Sequence, residues 1–469
     1  MNHFANTVPF TVTLNCSAAE NSICCDQLLR NLPGKRLVYR GTWQQRSVIV
    51  KLFLDSKSSH RHWAREKAGV EALENARART PELIFSGQLT DGTPVLVFEC
   101  LPEAQTALEV WDRLKTLESK CGLLRQLTTL VGYMHDKGLV QEDLHLENFL
   151  VSGGQIYAID GDTICSERRG EPLSLKASSK NLALLFAQIP PTFDSLIAPT
   201  SQHYAKFRSI SHPKLMALLE SVLPKVRRRR RCKYVEKSYR TCSEFIRSNG
   251  TGQIAISRRD VQGELLDRLL DDPDAFMRDG EILKDGNTTT IVRVQTGDCD
   301  WVIKRYNIKG YWHILSRCFR PTRSWLSWGN AHRLKISGIS TPRAVAMIEK
   351  RIGPLRSTGY YVCDFVDGPR AEVFFQDDTL SVTVKEQAAR AFVLLFELLQ
   401  KLGIHHGDCK AANFIPGNDT PWVLDLDAMH ECRSQARFKR LFLADRQRFL
   451  LNWRSQPELL RWFDEHLPK

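Results

Sequence analysis

No run of about eighteen apolar residues occurs in the chain, so no membrane-spanning helix is expected. No CxxC pair occurs either, which removes the usual thiolate zinc site. The thirteen cysteines are odd in number and scattered. They fit reduced thiols acting as small core side chains rather than a disulfide framework. The N-terminal segment lacks the basic start and apolar stretch of a signal peptide, and a cytoplasmic location is the expectation. RNP, zinc-finger and helix-turn-helix signatures are missing, so only charge speaks for nucleic-acid binding.

What is present belongs to a globular protein: 42% apolar and 25% charged residues. A chain of 469 residues exceeds one ordinary core and suits two domains. The net charge of +13 favours an acidic partner, whether nucleic acid, an anionic membrane face or a phosphorylated substrate. Part of it is concentrated in Lys225-Val-Arg-Arg-Arg-Arg-Arg-Cys-Lys233. That run reads as a solvated linker or helix face, with an anionic docking patch as the alternative. Placing the boundary there gives expected domains 1–235 and 236–469.

A repeat supports two halves. Asp143, Asn148 and Asp160 recur as Asp408, Asn413 and Asp425, each 265 positions later. Both triplets have the same internal spacing, with Asn five residues after the first Asp and the second Asp twelve residues beyond (143, 148, 160 and 408, 413, 425). The surroundings repeat as well. Paired strands are expected at 36–43 and 47–53 with a turn at Gln44-Gln45, then a helix at 63–76. A hinge-like strand ends at Glu99, and an apolar helix with Leu123, Leu127, Leu130, Val131 and Met134 stops near Gly138. In the second half, Asp300-Trp-Val-Ile-Lys-Arg-Tyr306 is the lysine-bearing strand and Tyr360-Tyr-Val-Cys-Asp364 the hinge-like one. The helix with Phe392, Leu395, Leu399 and Leu402 stops at Gly403. The intervals 99 to 143 and 364 to 408 are equal. From Lys304 to Asp364, however, there are twelve more residues than from Lys51 to Glu99.

This order suits phosphoryl transfer from ATP, which needs held phosphates, neutralised charge and an acceptor hydroxyl aimed in line. Lys51 and Lys304 take the strand-lysine role on the α/β-phosphates, with Glu66 as the helix carboxylate that holds Lys51. Asp143 and Asp408 are the catalytic aspartates that receive or orient the hydroxyl proton. Asn148 with Asp160, and Asn413 with Asp425, offer hard oxygen ligands for Mg²⁺. Glu99 and Asp364 are the nucleotide-contacting ends of the hinge-like strands. Registering Pro81 on Pro342 puts Ser327 where Glu66 would be, with Asn330 nearby as a substitute partner for Lys304. The glycine loops are weaker: Pro33-Gly34-Lys35-Arg36 and Lys284-Asp285-Gly286-Asn287-Thr288 do not follow GxGxxG, though Thr288, Thr289 and Thr290 are suited to line the site. The expected fold is α+β: two tandem protein-kinase-like domains, each with a small β-rich lobe and a mainly helical lobe.

The string His406-Gly-Asp-Cys-Lys-Ala-Ala-Asn-Phe414, with Val423-Leu-Asp-Leu-Asp-Ala428, resembles the signature of bacterial lipopolysaccharide core kinases, which phosphorylate heptose or 3-deoxy-D-manno-octulosonic acid. Aminoglycoside phosphotransferases and choline kinases share the His-Gly-Asp start. The Leu-Asp-Leu-Asp ending and the basic, aromatic segment 305–328 are more specific. The resemblance implies an ATP- and Mg²⁺-dependent kinase acting on a sugar hydroxyl of the inner core. Its partner would be an anionic glycolipid or core oligosaccharide, and the location cytoplasmic or peripheral on the inner membrane. Segment 305–328 holds five Arg/Lys and six aromatics, which suit such a headgroup or else pack the upper lobe. The first half departs from the pattern, with Gln141-Glu142 in place of His-Gly. Two rivals stay open: a pseudokinase scaffold in envelope biogenesis, and a kinase for a protein or small metabolite.

Overall fold

A computed structural model describes residues 8–16, 21–32, 34–54, 57–167, 170–307, 320–353, 355–417 and 419–469. The chain is a mixed α+β protein that divides into two compact units. The first comprises Met1–Ile189 with Phe193–Arg227, and the second Pro190–Thr192 with Arg228–Lys469. The division falls inside the helix His212–Lys237, which also carries residue 235. Among the described residues, no helix is long and apolar enough to cross a membrane.

The first unit opens with a six-stranded antiparallel sheet. Its order is Phe10–Thr13, Ser22–Leu32, Arg36–Trp43, Arg46–Phe53, Pro94–Glu99, Leu83–Gln88. Strands Arg36–Trp43 and Arg46–Phe53 are joined by Gln44 and Gln45 alone, at φ 50 and 61. Positive φ at both positions matches the right-handed twist of the paired strands. Helix Ser59–Asn75 lies against strand Pro94–Glu99. Helix Leu117–Asp136 then buries Leu123, Leu124, Leu127, Leu130, Val131 and Met134 in the helical core of this unit. The hairpin Phe149–Ser152/Gln155–Ala158 follows the Asp143 loop.

The second unit repeats this plan. Its seven-stranded sheet places Cys299–Tyr306 between Thr289–Thr296 and Leu355–Asp364. Helix Arg323–Ile336 packs on it, and helix Val382–Leu402 ends at Gly403 with φ 68. A left-handed residue there closes the helix without a Cβ clash, as glycine does at many helix ends.

Of the alternatives that two basic segments left open, the structure favours one in each case. The arginine run lies on a helix, His212–Lys237, with Lys225, Arg229 and Lys233 exposed but Arg227 and Arg231 buried. Arg227 bonds Asp194 and the carbonyls of Phe186 and Ile189 in the first unit. In the second unit Arg231 bonds Glu431 at 2.8 Å and the carbonyl of Leu402 at 3.3 Å. Residues four apart share a helix face, and each buried guanidinium has an acid. In segment 305–328, residues 308–319 lie outside the described residues. Arg320 and Pro321 are exposed, but the helical tryptophans are packed: Trp328 is buried and donates to the Ser238 carbonyl at 3.0 Å. Trp325 stacks on Tyr239 at 4.4 Å.

Candidate active site

Each aspartate–asparagine loop has the same local build. The Asn148 amide donates to the Asp143 carbonyl at 2.9 Å, and that of Asn413 to the Asp408 carbonyl at 2.8 Å. The Ile159 N–H donates to the Asn148 carbonyl and the Leu424 N–H to that of Asn413, both at 2.9 Å. These bonds clamp the start and end of each loop, so the Asp-x4-Asn spacing has a backbone reason. Asp160 and Asp425 both sit in the left-handed region, at φ 69 and 54. Such strain in a non-glycine residue gathers at functional sites.

Gln141 preserves a bond that its sequence difference from His406 conceals. His406 Nε2 donates to the Leu424 carbonyl at 3.0 Å, and its Nδ1 accepts from the Asp408 N–H at 3.3 Å. Burial lowers the imidazole's proton affinity, which agrees with a neutral ring protonated on Nε2. Gln141 Nε2 donates to the corresponding carbonyl, Ile159, at 3.1 Å. His406 and Gly407 also donate their N–H groups to the buried Asp445 carboxylate at 2.6 and 3.0 Å. Burial raises the Asp445 carboxyl against the pull of His406.

The two strand lysines meet different acids. In the first unit Lys51 pairs with Glu66, whose side chain is 0% exposed, and Arg36 Nη1 joins the same carboxylate at 2.9 Å. Burial alone would raise Glu66, but Lys51 and Arg36 outweigh it and hold the carboxyl below its ordinary value. Arg36 also lies 3.7 Å from Asp160. Burial, then the Glu66 charge, keeps Asp160 above its ordinary value despite the two cations. The helix approaches the Asp160 turn closely: a Cβ on Gly69 would stand 2.0 Å from the Gly161 carbonyl oxygen.

In the second unit Lys304 pairs with Asp425 and lies 3.6 Å from Asp427. Burial would lower the Lys304 ammonium, but Tyr306, Asp425 and Asp427 outweigh it and hold it above its ordinary value. Burial likewise opposes the Asp425 charge, and Lys304 more than compensates, keeping that carboxyl low. Arg323 anchors Asp427 at 2.7 Å, as His62 meets Asp162 at 3.2 Å in the first unit. Ser327 occupies the Glu66 position and bonds the Tyr306 hydroxyl at 2.7 Å. The pair Phe53 and Glu66 is thus replaced by Tyr306 and Ser327. Asn330 does not reach Lys304. Its amide instead donates to the carbonyls of Leu426 and Met429 at 2.7 and 2.8 Å, because the 426–429 turn presents carbonyl oxygens to that helix face.

Asp408 is gripped by Arg448 at 2.9 Å and Lys410 at 3.2 Å. Asp143 is more open, 67% exposed, with His145 at 3.5 Å. Glu99 is turned to the Glu82 N–H at 2.9 Å. Asp364 lies 3.9 Å from Arg343, and burial raises its carboxyl. In the second unit a cavity of about 280 Å³ brings together Lys304, Asp364, Asn413 and Asp425 below an apolar wall that includes Val302 and Ile415. Leu283 and Lys284 line it, whereas Thr289 accepts from Arg323 and Thr290 from Asn307. Of the first glycine loop, Arg36 reaches the site; Pro33 lies outside the described residues. Arg323, Asp427 and Asp445 were missed in the sequence. The second acid of both Asp-x-Asp strings was the available signal for Asp427.

The cavity's oxygen donors, Asn413 and Asp425, are of the kind that hold a hard cation. Compared with known proteins, residues 277–450 match the Lipopolysaccharide kinase (Kdo/WaaP) family. The matched stretch lies within the second unit and contains Lys304, Asp408, Asn413, Asp425 and Asp445. No curated protein matches the chain.

Proposed function

We propose, from the match of residues 277–450 to the Lipopolysaccharide kinase (Kdo/WaaP) family, that the protein is a kinase built of two tandem kinase-like units. It transfers the γ-phosphoryl group of ATP to a sugar hydroxyl of the lipopolysaccharide inner core. The observation that carries this reading is the second unit's cavity, where a buried cation and two oxygen ligands meet beside an apolar wall. The wall takes the base, and Lys304 exchanges its Asp425 contact for the α/β-phosphates. Asp408, positioned by Arg448 and Lys410, receives the proton as the sugar oxygen bonds to phosphorus and ADP leaves with the bridging electron pair. A magnesium ion held by Asn413 and Asp425 would neutralise charge on the β- and γ-phosphates. The net charge of +13 suits an anionic core oligosaccharide or glycolipid and a peripheral place on the cytoplasmic face of the inner membrane.

The first unit, with Lys51, Glu66, Asn148 and Asp160, has the parts of a second site. The catalytic aspartates favour a different reading for it, nucleotide binding without turnover: Asp143 is 67% exposed, whereas Asp408 is held by Arg448 and Lys410. Labelled ATP and purified core oligosaccharide separate the cases. Transfer is expected to vanish in Asp408→Ala and to persist in Asp143→Ala. Transfer that survives Asp408→Ala would remove the second unit as its source. No transfer to any core oligosaccharide by the native protein would refute the kinase reading.

A further inference from the structure

Helix Ser59–Asn75 ends in a Schellman turn: the Arg77 N–H donates to the Glu74 carbonyl at 2.9 Å and the Ala78 N–H to that of Leu73 at 3.0 Å. The left-handed residue of this turn is Arg77, at φ 55. The same turn ends helix Arg323–Ile336 in the second unit, with Ile339 donating to Leu334 at 3.1 Å, and there the left-handed residue is Gly338, at φ 72. Glycine is the residue this backbone favours. The first unit therefore keeps an arginine where its own repeat has the unstrained choice, and a strained residue invites a functional explanation.

The arginine has a site to serve. Arg77 and Arg79 stand at a cavity of about 170 Å³ with Leu130 and Ile156 as an apolar floor, Tyr133 as an aromatic wall and Gln155 at the rim. Neither arginine side chain has a hydrogen-bond or ion-pair partner among the described residues, and no carboxylate lines the cavity. Two like charges converge on one hollow with nothing there to neutralise them. The second unit differs here too. The Ala158 N–H donates to the Arg79 carbonyl at 2.8 Å, and the matching bond runs from Val423 to Ser340 at 2.9 Å. Ser340 thus stands where Arg79 does, and its hydroxyl accepts from Thr420 at 3.0 Å. The hollow is also separate from the Asp143 site. Arg77 lies eleven residues beyond Glu66, roughly 16 Å along the helix, and the hollow involves Gly154 and Gln155 at the turn of the hairpin that joins Asn148 to Asp160.

We propose that this hollow is a binding site for an anionic sugar, with Arg77 and Arg79 on its phosphate or carboxylate and Tyr133 against the ring. Guanidinium groups match such oxyanions in geometry. A half-open hollow with Leu130 and Ile156 at its floor, Tyr133 as an aromatic wall and the polar Gln126, Thr129 and Gln155 around it suits a sugar ring better than a flat basic face for a membrane. The site is independent of phosphoryl transfer and holds whether or not the first unit turns over.

Calorimetric titration of the full chain with glucose 6-phosphate, glucose and inorganic phosphate tests it. The native protein is expected to bind glucose 6-phosphate at least tenfold more tightly than phosphate and to show no heat with glucose. Arg79→Gln is expected to weaken binding tenfold or more, since a charge-assisted hydrogen bond is lost. Arg77→Gly is expected to weaken binding equally while raising the Tm by about 2–4 °C, because the backbone strain goes with the side chain. That split between stability and binding is not expected of an arginine with a purely structural role. Absence of binding by the native protein, or binding untouched in both variants, overturns the proposal. So does sedimentation with phosphatidylglycerol vesicles that both variants lose while glucose 6-phosphate shows no binding, which would assign the arginines to a membrane contact.

Discussion

Removing Glu66 tests how the first unit holds its buried charges. The carboxylate is fully enclosed and meets two cations, Lys51 and Arg36. Glu66→Ala deletes the one acid that both share, and stranding buried charge typically costs about 3–5 kcal/mol. The lower end applies here, because both cations keep 15% side-chain exposure and Arg36 retains Asp160 at 3.7 Å. About 3 kcal/mol lowers the Tm of a unit this size by ~6–12 °C. Calorimetric melting of the full chain should show this shift in the first unit's transition. Glu66→Gln should fall between, since it keeps the shape and loses the charge. The triple change Arg36→Leu, Lys51→Met, Glu66→Leu should recover most of the loss, because replacing a whole buried ion cluster with apolar groups is often neutral. The folded carboxyl is held below its ordinary value, so its contribution is present above about pH 4.3 and is lost as pH falls below it toward the folded value. A Tm change under about 2 °C in Glu66→Ala, or a triple variant no better than the single one, would refute the reasoning.

Gly407 has φ +83, and a Cβ there would stand 2.7 Å from the Ala428 carbonyl oxygen. Gly407→Ala should therefore displace the Asp425–Asp427 turn, lowering the Tm by a few degrees and phosphate transfer by tenfold or more; unchanged transfer would show that the turn can move without consequence. His332 is buried, with neither ring nitrogen hydrogen-bonded among the described residues, and it packs against Phe245 and Trp328 at 4.8 and 4.4 Å. Burial depresses its pKa to about 3. Between that value and about 6.5 the unfolded chain takes up the extra proton, so stability should fall on acidification by roughly 1.4 kcal/mol per pH unit. His332→Phe should flatten that slope in urea titrations at pH 5 and 7, and an unaltered slope would place the acid sensitivity elsewhere.

Much of this was legible in the chain. The repeated Asp, Asn and Asp lie in short loops closed by backbone bonds between near neighbours, and such geometry leaves a fixed spacing in the sequence. The apolar periodicity of the two long helices and the Gln44-Gln45 turn are local in the same way. Other features were not local. His406 and Gln141 look unlike, yet both donate to the same carbonyl position, because an imidazole and an amide can each present an N–H there. Arg227 and Arg231 of the arginine run read as solvent-facing until Asp194 and Glu431 arrive from distant segments to neutralise them.

By itself, then, the sequence determined that one pattern, Asp, Asn five residues on and Asp twelve residues further, occurs twice in order and in step. Only the tertiary structure decided which acid each lysine meets: Glu66 for Lys51, and Asp425 with Asp427 for Lys304. It also left Arg77 and Arg79 at a hollow that no carboxylate lines while Arg227 and Arg231 found carboxylates. The reason is physical. A buried charge must find its opposite among whatever groups folding desolvates beside it, and those neighbours come from parts of the chain that no spacing links.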